Sequence, residues 1–417
     1  MERKNQSGIT LVALVVTIVV LLILAGVSIN LVLGENGLIS NAKEARDKTK
    51  SAEVNEKTQM DSASDFIAEA VNNTELPQTN ETKPYMPGDS FTKVDGTNLA
   101  NGLTIQDSDG NQYVWVEVPM TEEVYPTAKL GITEFNDEAY KKIENDLHTY
   151  TATYRNNTNY KDEWYEDTNN SADWYTSNQY TEQKQKMLKS IYQNGGFWVA
   201  RYEAGIAEEN NRTSHTIPTI VPQSKENLCP YTCITRTEAK KLAEMVQYTK
   251  NGVTYKGSLM FGVQWDLVLK FFENKKLNTD EGIISKLNSD SKEIGNYIDS
   301  TYKINRGKYA KYNSISIWNK YTENSTGLVN DCEKIPDSNA ILLTTGAVDK
   351  NSIMNIYDIA GNVWEWTLEY ATSDSRFTCA SRGGYYTHTG SDYPASYRNN
   401  YNVSGNVNNV GFRISLY

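Results

Sequence analysis

The stretch Tyr357-Asp-Ile-Ala-Gly-Asn-Val-Trp-Glu-Trp366 decides how this chain is read. Two tryptophans, Trp364 and Trp366, are expected in the core. Downstream stand Arg382-Gly-Gly384 and Gly411-Phe-Arg413. Glycines permit tight backbone paths, so these two short runs read as scaffold, with Phe412 as an apolar anchor. Three motifs thus follow one another over about sixty residues.

Between the last two motifs lies a segment of unusual composition, residues 385–410. It holds Asn, Tyr, Ser, Thr, Gly, Val, Asp, His, Pro, Ala and one Arg, but no Lys, Glu, Gln, Met or Trp. Tyrosine gives rigid amphipathic contact area at low entropy cost, and Asn and Ser give adaptable hydrogen bonds, as in antibody-type paratopes. The ligand-meeting residues are therefore expected to be Tyr385, Thr387, His388, Asp392, Tyr393, Tyr397, Asn399, Asn400, Tyr401, Asn406 and Asn408. A polar C-terminal loop without a ligand is the plainer alternative.

The three motifs resemble the formylglycine-generating-enzyme group of the C-type-lectin fold. Weaker matches extend the resemblance. Gly195 to Glu203 looks like that family's early strand, Thr235 to Ala243 like its first core helix, and Leu259 to Val268 like the approach to its second. The resemblance covers roughly residues 97 to 417. It implies an α+β domain there. It also implies a structural calcium ion, held by the side chains of Asp358 and Glu365 and the carbonyls of Gly361 and Val363. Glu365 serving only the fold is the competing reading.

Fold does not settle function. The enzymes of that group use two cysteines after Arg-Gly-Gly, and none follows Cys379 here. The related iron-dependent sulfoxide synthases need a His/His/Glu-type site, whereas this chain has only His148, His215 and His388, none at close ligand spacing. What remains is a binding scaffold. The layout resembles C-type-lectin-fold variable proteins of diversity-generating retroelements, in which adenines of Asn-type codons are randomised. Codons of that kind ending in a pyrimidine cannot yield Lys, Glu, Gln, Met or Trp, the residues missing from 385–410.

The other end of the chain carries a second signal. After a short polar leader, Ile9 to Leu33 runs apolar without a charge. Twenty-five helical residues span ~37 Å, enough for a ~30 Å hydrocarbon core. A membrane-crossing helix is expected, with Arg3 and Lys4 on the cytoplasmic side and the head outside. Residues 1 to about 40 resemble a type IV prepilin, which implies cleavage by prepilin peptidase between Gly8 and Ile9. Ala13 stands where pilins carry a glutamate that pairs with a neighbouring subunit. That puts efficient polymerisation with other pilin subunits in question. Loosely helical apolar spacing continues to Val71, and the Pro-bearing stretch 72–96 reads as a linker. The expected division is leader 1–8, membrane and stalk helix 9–71, linker 72–96 and ligand-binding domain 97–417.

A net charge of −11 with no basic stripe excludes nucleic-acid binding, which needs a positive face for phosphates. Four cysteines, Cys229, Cys233, Cys332 and Cys379, permit disulfides outside the cell or free buried thiols. Cys229-x3-Cys233 is half a zinc site without its completion. Asp107-Ser-Asp-Gly-Asn111 resembles a calcium loop but lacks the twelfth-position glutamate, and reads as a hairpin turn. The Tyr-rich stretch 131–190 reads as a largely solvated insertion, with helices near 136–150 and 178–193.

The expected function is the first of three, a non-enzymatic one, with the other two as alternatives. One is a binding protein displayed on a bacterial surface, anchored by the pilin-like helix, whose ligand is an unidentified extracellular protein or glycan. The second is a membrane-tethered oxidase of the formylglycine-generating type. The third is a structural minor pilin.

Overall fold

A computed structural model describes residues 82–155, 159–166, 173–320, 333–334 and 340–417. The chain divides at Glu75 and Leu76 into two units, and every described residue belongs to the second. The leader with its Gly8–Ile9 cleavage point, the 9–33 membrane helix and the stalk to Val71 lie outside the described residues. Among the described residues no helix is long and apolar enough to cross a membrane.

The fold mixes helices and sheets. An antiparallel six-stranded sheet runs in the order Thr92–Lys93, Thr104–Gln106, Gln112–Glu117, Gly196–Ala200, Ile414–Leu416, Ser258–Leu259. Its centre is buried on both faces, with Trp115 and Trp198 in edge contact at 5.1 Å. A second sheet orders Arg398–Tyr401, Cys379–Arg382, Trp364–Ala371 and Val410–Phe412, with Tyr160–Lys161 added to the 364–371 strand. The expected hairpin forms: Thr104–Gln106 pairs with Gln112–Glu117, and the Asp107 carboxylate accepts from the N–H groups of Asp109 and Asn111 across the turn.

Helices begin where their sequences supply caps. Thr176 with Gln179 and Thr235 with Glu238 form capping boxes at Ser177–Asn194 and Arg236–Met245. The former ends at Gly195 in the left-handed region, φ +66°. It buries Tyr180, Met187, Leu188 and Ile191, a spacing of one apolar stripe. At Gly262–Lys276 Gln264 accepts from the Phe261 N–H at 3.0 Å, but Phe261 has no side-chain oxygen to cap the first turn. The buried Asp162 carboxylate does that work from a distance, accepting from the N–H groups of Gly262 and Val263 at 2.7 and 2.9 Å.

Two expectations need correction. Residues 72–96 are expected to be linker, yet the chain from Thr82 onward is packed on the domain. Thr82 Oγ1 accepts from the Trp115 indole and donates to the Gly195 carbonyl, Tyr85 stacks on Tyr255, and Phe91 is buried. Aromatic burial outweighs the Pro-rich composition of this stretch. The 131–190 insertion is not a solvated layer either. Its helices Asp137–Tyr150 and Ser177–Asn194 contribute Ile143, Leu147, Met187 and Ile191 to the core.

Candidate functional site

The 364–371 strand organises the candidate site. On one side it pairs antiparallel with Cys379–Arg382, and on the other it pairs in parallel with Val410–Phe412. The segment of unusual composition is therefore an excursion whose two ends are fixed to the same strand. Its exit is tight. Gly383 and Gly384 have φ of +93° and +81°, and a Cβ on Gly384 would stand 2.6 Å from the Tyr393 carbonyl. Tyr297 locks this turn by donating to the carbonyls of Gly383 and Tyr393.

Residues within the excursion divide by burial. Tyr386, Gly390, Pro394, Ala395, Ser396, Arg398 and Val410 are buried, as are Arg382 to Gly384 and Gly411 to Arg413. None of the eleven residues expected to meet ligand is buried. Four of them assemble above the buried Trp364. The His388 ring stacks on Tyr393 at 4.0 Å and meets Tyr385 at 4.1 Å. Tyr393 meets Tyr397 at 4.8 Å and stands edge-on to Trp364 at 5.6 Å. Tyr401 lies against the neighbouring Trp366. Burial pushes the Tyr401 hydroxyl up to about 12 and lowers the His388 imidazole below its usual value. Asn399 and Asn400 lie on the 398–401 strand, while Asn406 and Asn408 lie on the return turn with no ring contact to the cluster. Thr387 is half-buried and Asp392 exposed.

The face extends beyond the segment. Trp318 and Tyr385 pack on Leu342, Val363 and Tyr386, and Tyr312 approaches Tyr386 at 6.2 Å. Sequence reasoning missed Tyr312 and Trp318. Trp318 opens the strand Trp318–Lys320, which pairs with Lys308–Lys311, and Tyr312 begins the 3-10 turn Tyr312–Ser314 between them; neither belongs to a motif. Several buried polar atoms here have no hydrogen-bond partner: the Tyr386 hydroxyl, His388 Nδ1, Trp318 Nε1 and Asn409 Oδ1.

Buried ion pairs hold the excursion underneath. Arg398, the one arginine within 385–410, is turned inward. Its guanidinium donates to Asp266 at 2.5 Å, to Glu369 at 2.8 Å and to the Tyr154 carbonyl at 2.7 Å. Arg382 donates to the same two carboxylates at 2.8 and 3.2 Å. Burial raises the Glu369 carboxyl, but Arg398 and Arg382 outweigh it and hold the group below its usual value.

Asp358, Gly361, Val363 and Glu365, the residues expected to hold calcium, are all buried. Both Glu365 oxygens accept from Arg413, at 2.6 and 3.1 Å. Asp358 accepts from the Gly346 N–H at 3.0 Å. A third carboxylate, Glu203, accepts from Asn362 Nδ2 at 2.7 Å. Sequence reasoning passed over Glu203, whose only signal was an acid closely following a buried strand. Burial, then the charges of Asp358 and Glu365, push Glu203 well above its usual range. These residues do not fit the implied ion as a set, because the guanidinium of Arg413 already takes the cation's place at Glu365.

Elsewhere Glu144, His148 and Asp162 bring one ligand atom each within 4.8 Å of one another. Lys184 already donates to Glu144 at 3.0 Å and to the Asp162 carbonyl at 2.8 Å, and both Asp162 oxygens cap a helix. The group therefore reads as structural. Cys229, Cys233 and Cys379 are buried free thiols, so no disulfide joins any of these three. Cys332 lies outside the described residues. Burial pushes Cys229 up to about 12. Cys379 Sγ lies 3.2 Å from the Tyr165 hydroxyl.

Known proteins share parts of this architecture. The family described as "Sulfatase-modifying factor enzyme 1-like domain" matches residues 165–416. Among solved structures, Treponema denticola variable protein 1 is similar at 14% identity over 53% of this chain and 84% of that one, with a TM-score of 0.28. The crystal structure of CarF is similar at 13% identity over 53% of this chain and 85% of that one, with a TM-score of 0.31. No curated protein matches the sequence.

Proposed function

We propose that this chain, which belongs to the family of the sulfatase-modifying factor enzyme 1-like domain, uses that C-type-lectin-like fold to bind a ligand rather than to catalyse a reaction. The observation that carries the reading is the division of residues 385–409. The fold takes Arg398, Tyr386 and Ala395 inward, leaves all eleven expected residues at least partly exposed, and gathers Tyr385, His388, Tyr393 and Tyr397 around Trp364. Anchors of this kind supply most of the energy in binding interfaces, where a few aromatic side chains dominate. The sequence supports the non-enzymatic reading, since no cysteine follows Arg382-Gly-Gly384. Cys379 stands before that motif and is buried.

Three further parts belong to this proposal. The chain is displayed on a bacterial surface, held by the apolar helix 9–33 after cleavage between Gly8 and Ile9. Its outward residues are diversified through a retroelement. Its ligand is an extracellular protein or glycan. Finding intact Met1 on exported protein would reject the leader reading. A near-copy of the codons for 381–417, differing at adenines and lying beside a reverse transcriptase, would establish diversification.

The binding reading is tested with the full chain against a glycan array and a panel of immobilised cell-surface proteins. Specific hits should be lost in Tyr397→Ala and Tyr393→Ala while the folded state persists. Copper-dependent oxidation of a Cys-containing peptide by the purified protein would overturn it in favour of the oxidase.

A further inference from the structure

A cleft of about 580 Å³ opens away from the excursion, and none of its lining residues comes from 385–410. Its floor is the stacked pair Tyr202 and Tyr357, with ring centres 5.1 Å apart. Two guanidiniums flank this pair: Arg201 lies 5.5 Å from both rings, and Arg306 lies 5.7 Å from Tyr357. Lys225 completes the basic wall.

The charges in the cleft are unevenly matched. Both of its acids are spent on Arg306, which pairs with Asp349 at 2.6 Å and with Glu226 at 3.2 Å. Arg306 also donates to the Gly346 carbonyl and the Tyr357 hydroxyl. It is therefore fixed and neutralised. Arg201 has no carboxylate partner among the described residues. One nitrogen donates to Gln112 at 2.8 Å and another reaches Asn355 at 3.4 Å, both neutral acceptors. Its Nε is buried and has no hydrogen-bond partner. The Lys225 ammonium makes no hydrogen bond or ion pair with the described residues. Two uncompensated cations thus face one concavity in a protein of net charge −11. An oxyanion in the cleft offers charge-assisted acceptors to the Lys225 ammonium and to the terminal nitrogens of Arg201.

We propose that this cleft is a second ligand site that binds a small oxyanion, the phosphate, sulfate or carboxylate group of a small molecule. Arg201 and Lys225 hold the charge, and the Tyr202–Tyr357 floor packs against the body of the ligand. The site stands independently of the tyrosine face, and either could fail without the other.

The test uses the full chain titrated with inorganic phosphate, sulfate and glucuronate at constant ionic strength, followed by calorimetry and by melting temperature. At least one oxyanion should bind, and the responding arm identifies the chemical source. Arg201→Gln should weaken that binding about tenfold or more, the scale of one charge-assisted hydrogen bond. Lys225→Gln should weaken it severalfold. Its ammonium holds no other group, so the variant keeps the fold even if Arg201→Gln does not. Lys256→Gln, outside the cleft, should bind as the parent does. No response to any of the three anions, an equal response to chloride, or unchanged binding in Lys225→Gln and Arg201→Gln would overturn the proposal.

Discussion

Replacing Arg398 with alanine should unseat the whole excursion although its outward residues are untouched. In the folded protein Asp266 and Glu369 share Arg398 and Arg382, two buried charges of each sign. Without Arg398 the two carboxylates keep Arg382, with Arg155 more distant at 3.8 Å from Asp266. The Tyr154 carbonyl also loses its donor. Breaking a buried pair from one side costs ~3–5 kcal/mol, because an uncompensated charge stays behind. The second unit, Leu76–Tyr417, unfolds with an entropy of ~0.7 kcal/mol per degree at about 2.1 cal/mol/K per residue. The melting temperature should therefore fall by ~4–7 °C. Asp392→Ala, on the exposed part of the same segment, should stay within ~0.5 kcal/mol of the parent, under about one degree. Arg398→Lys keeps a charge but loses the forked geometry and should fall between them. Differential scanning calorimetry on the three variants reads the order directly. If Arg398→Ala melts within a degree of the parent, the buried pairs do not hold the segment and its inward arginine needs another explanation.

Further outcomes follow from the same interactions. Tyr397→Ala should weaken ligand binding by ~2 kcal/mol or more if Tyr397 is an anchor. It should cost only ~0.5–1.5 kcal/mol of stability for each aromatic pair it breaks, and a variant that unfolds would make Tyr397 core. Glu365→Ala should destabilise by ~3–5 kcal/mol through the orphaned Arg413, whereas a calcium chelator should leave the parent's melting temperature unchanged; a drop on chelation would restore the ion to this site. Glu203 binds its proton more tightly folded than unfolded. The folded state therefore holds more protons as pH rises past 4.5, and stability falls through that window up to the raised value. Glu203→Gln should flatten this fall in melting temperature against pH. Cys229, Cys233 and Cys379 should react with a thiol reagent only after denaturation, given their burial.

Much of the fold was legible because its local signals are strong. The capping residue Thr235, the helix-ending Gly195 and the Asp107 turn each act within a few residues, and the helices and hairpin form where those residues place them. Composition set residues 385–410 apart but did not say which of them turn inward, since Tyr386 and Arg398 are buried beside the partly exposed Tyr385 and Asn399. What stayed hidden depends on distant partners. Asp162 caps a helix 100 residues away in sequence. Arg201 lies in a cleft whose other wall comes from residues 306 to 357. The Arg413 pairing that occupies Glu365 spans 48 positions. Local pattern carries no information about such pairings.

The strand Ile414–Leu416 lies inside the six-stranded sheet, between Gly196–Ala200 and Ser258–Leu259. It supplies the partner for Trp198 some two hundred residues earlier in the chain, through Leu416. The sheet therefore cannot close until residues 414–416 have been made. Until residues 414–416 emerge, the edges of 196–200 and 258–259 stay unpaired, open to a chaperone or to a second copy. Pairings of such long separation also form slowly, because loop closure must be met before the contact repays it. A chain interrupted before residue 414 is left with an open sheet and no seat for the excursion.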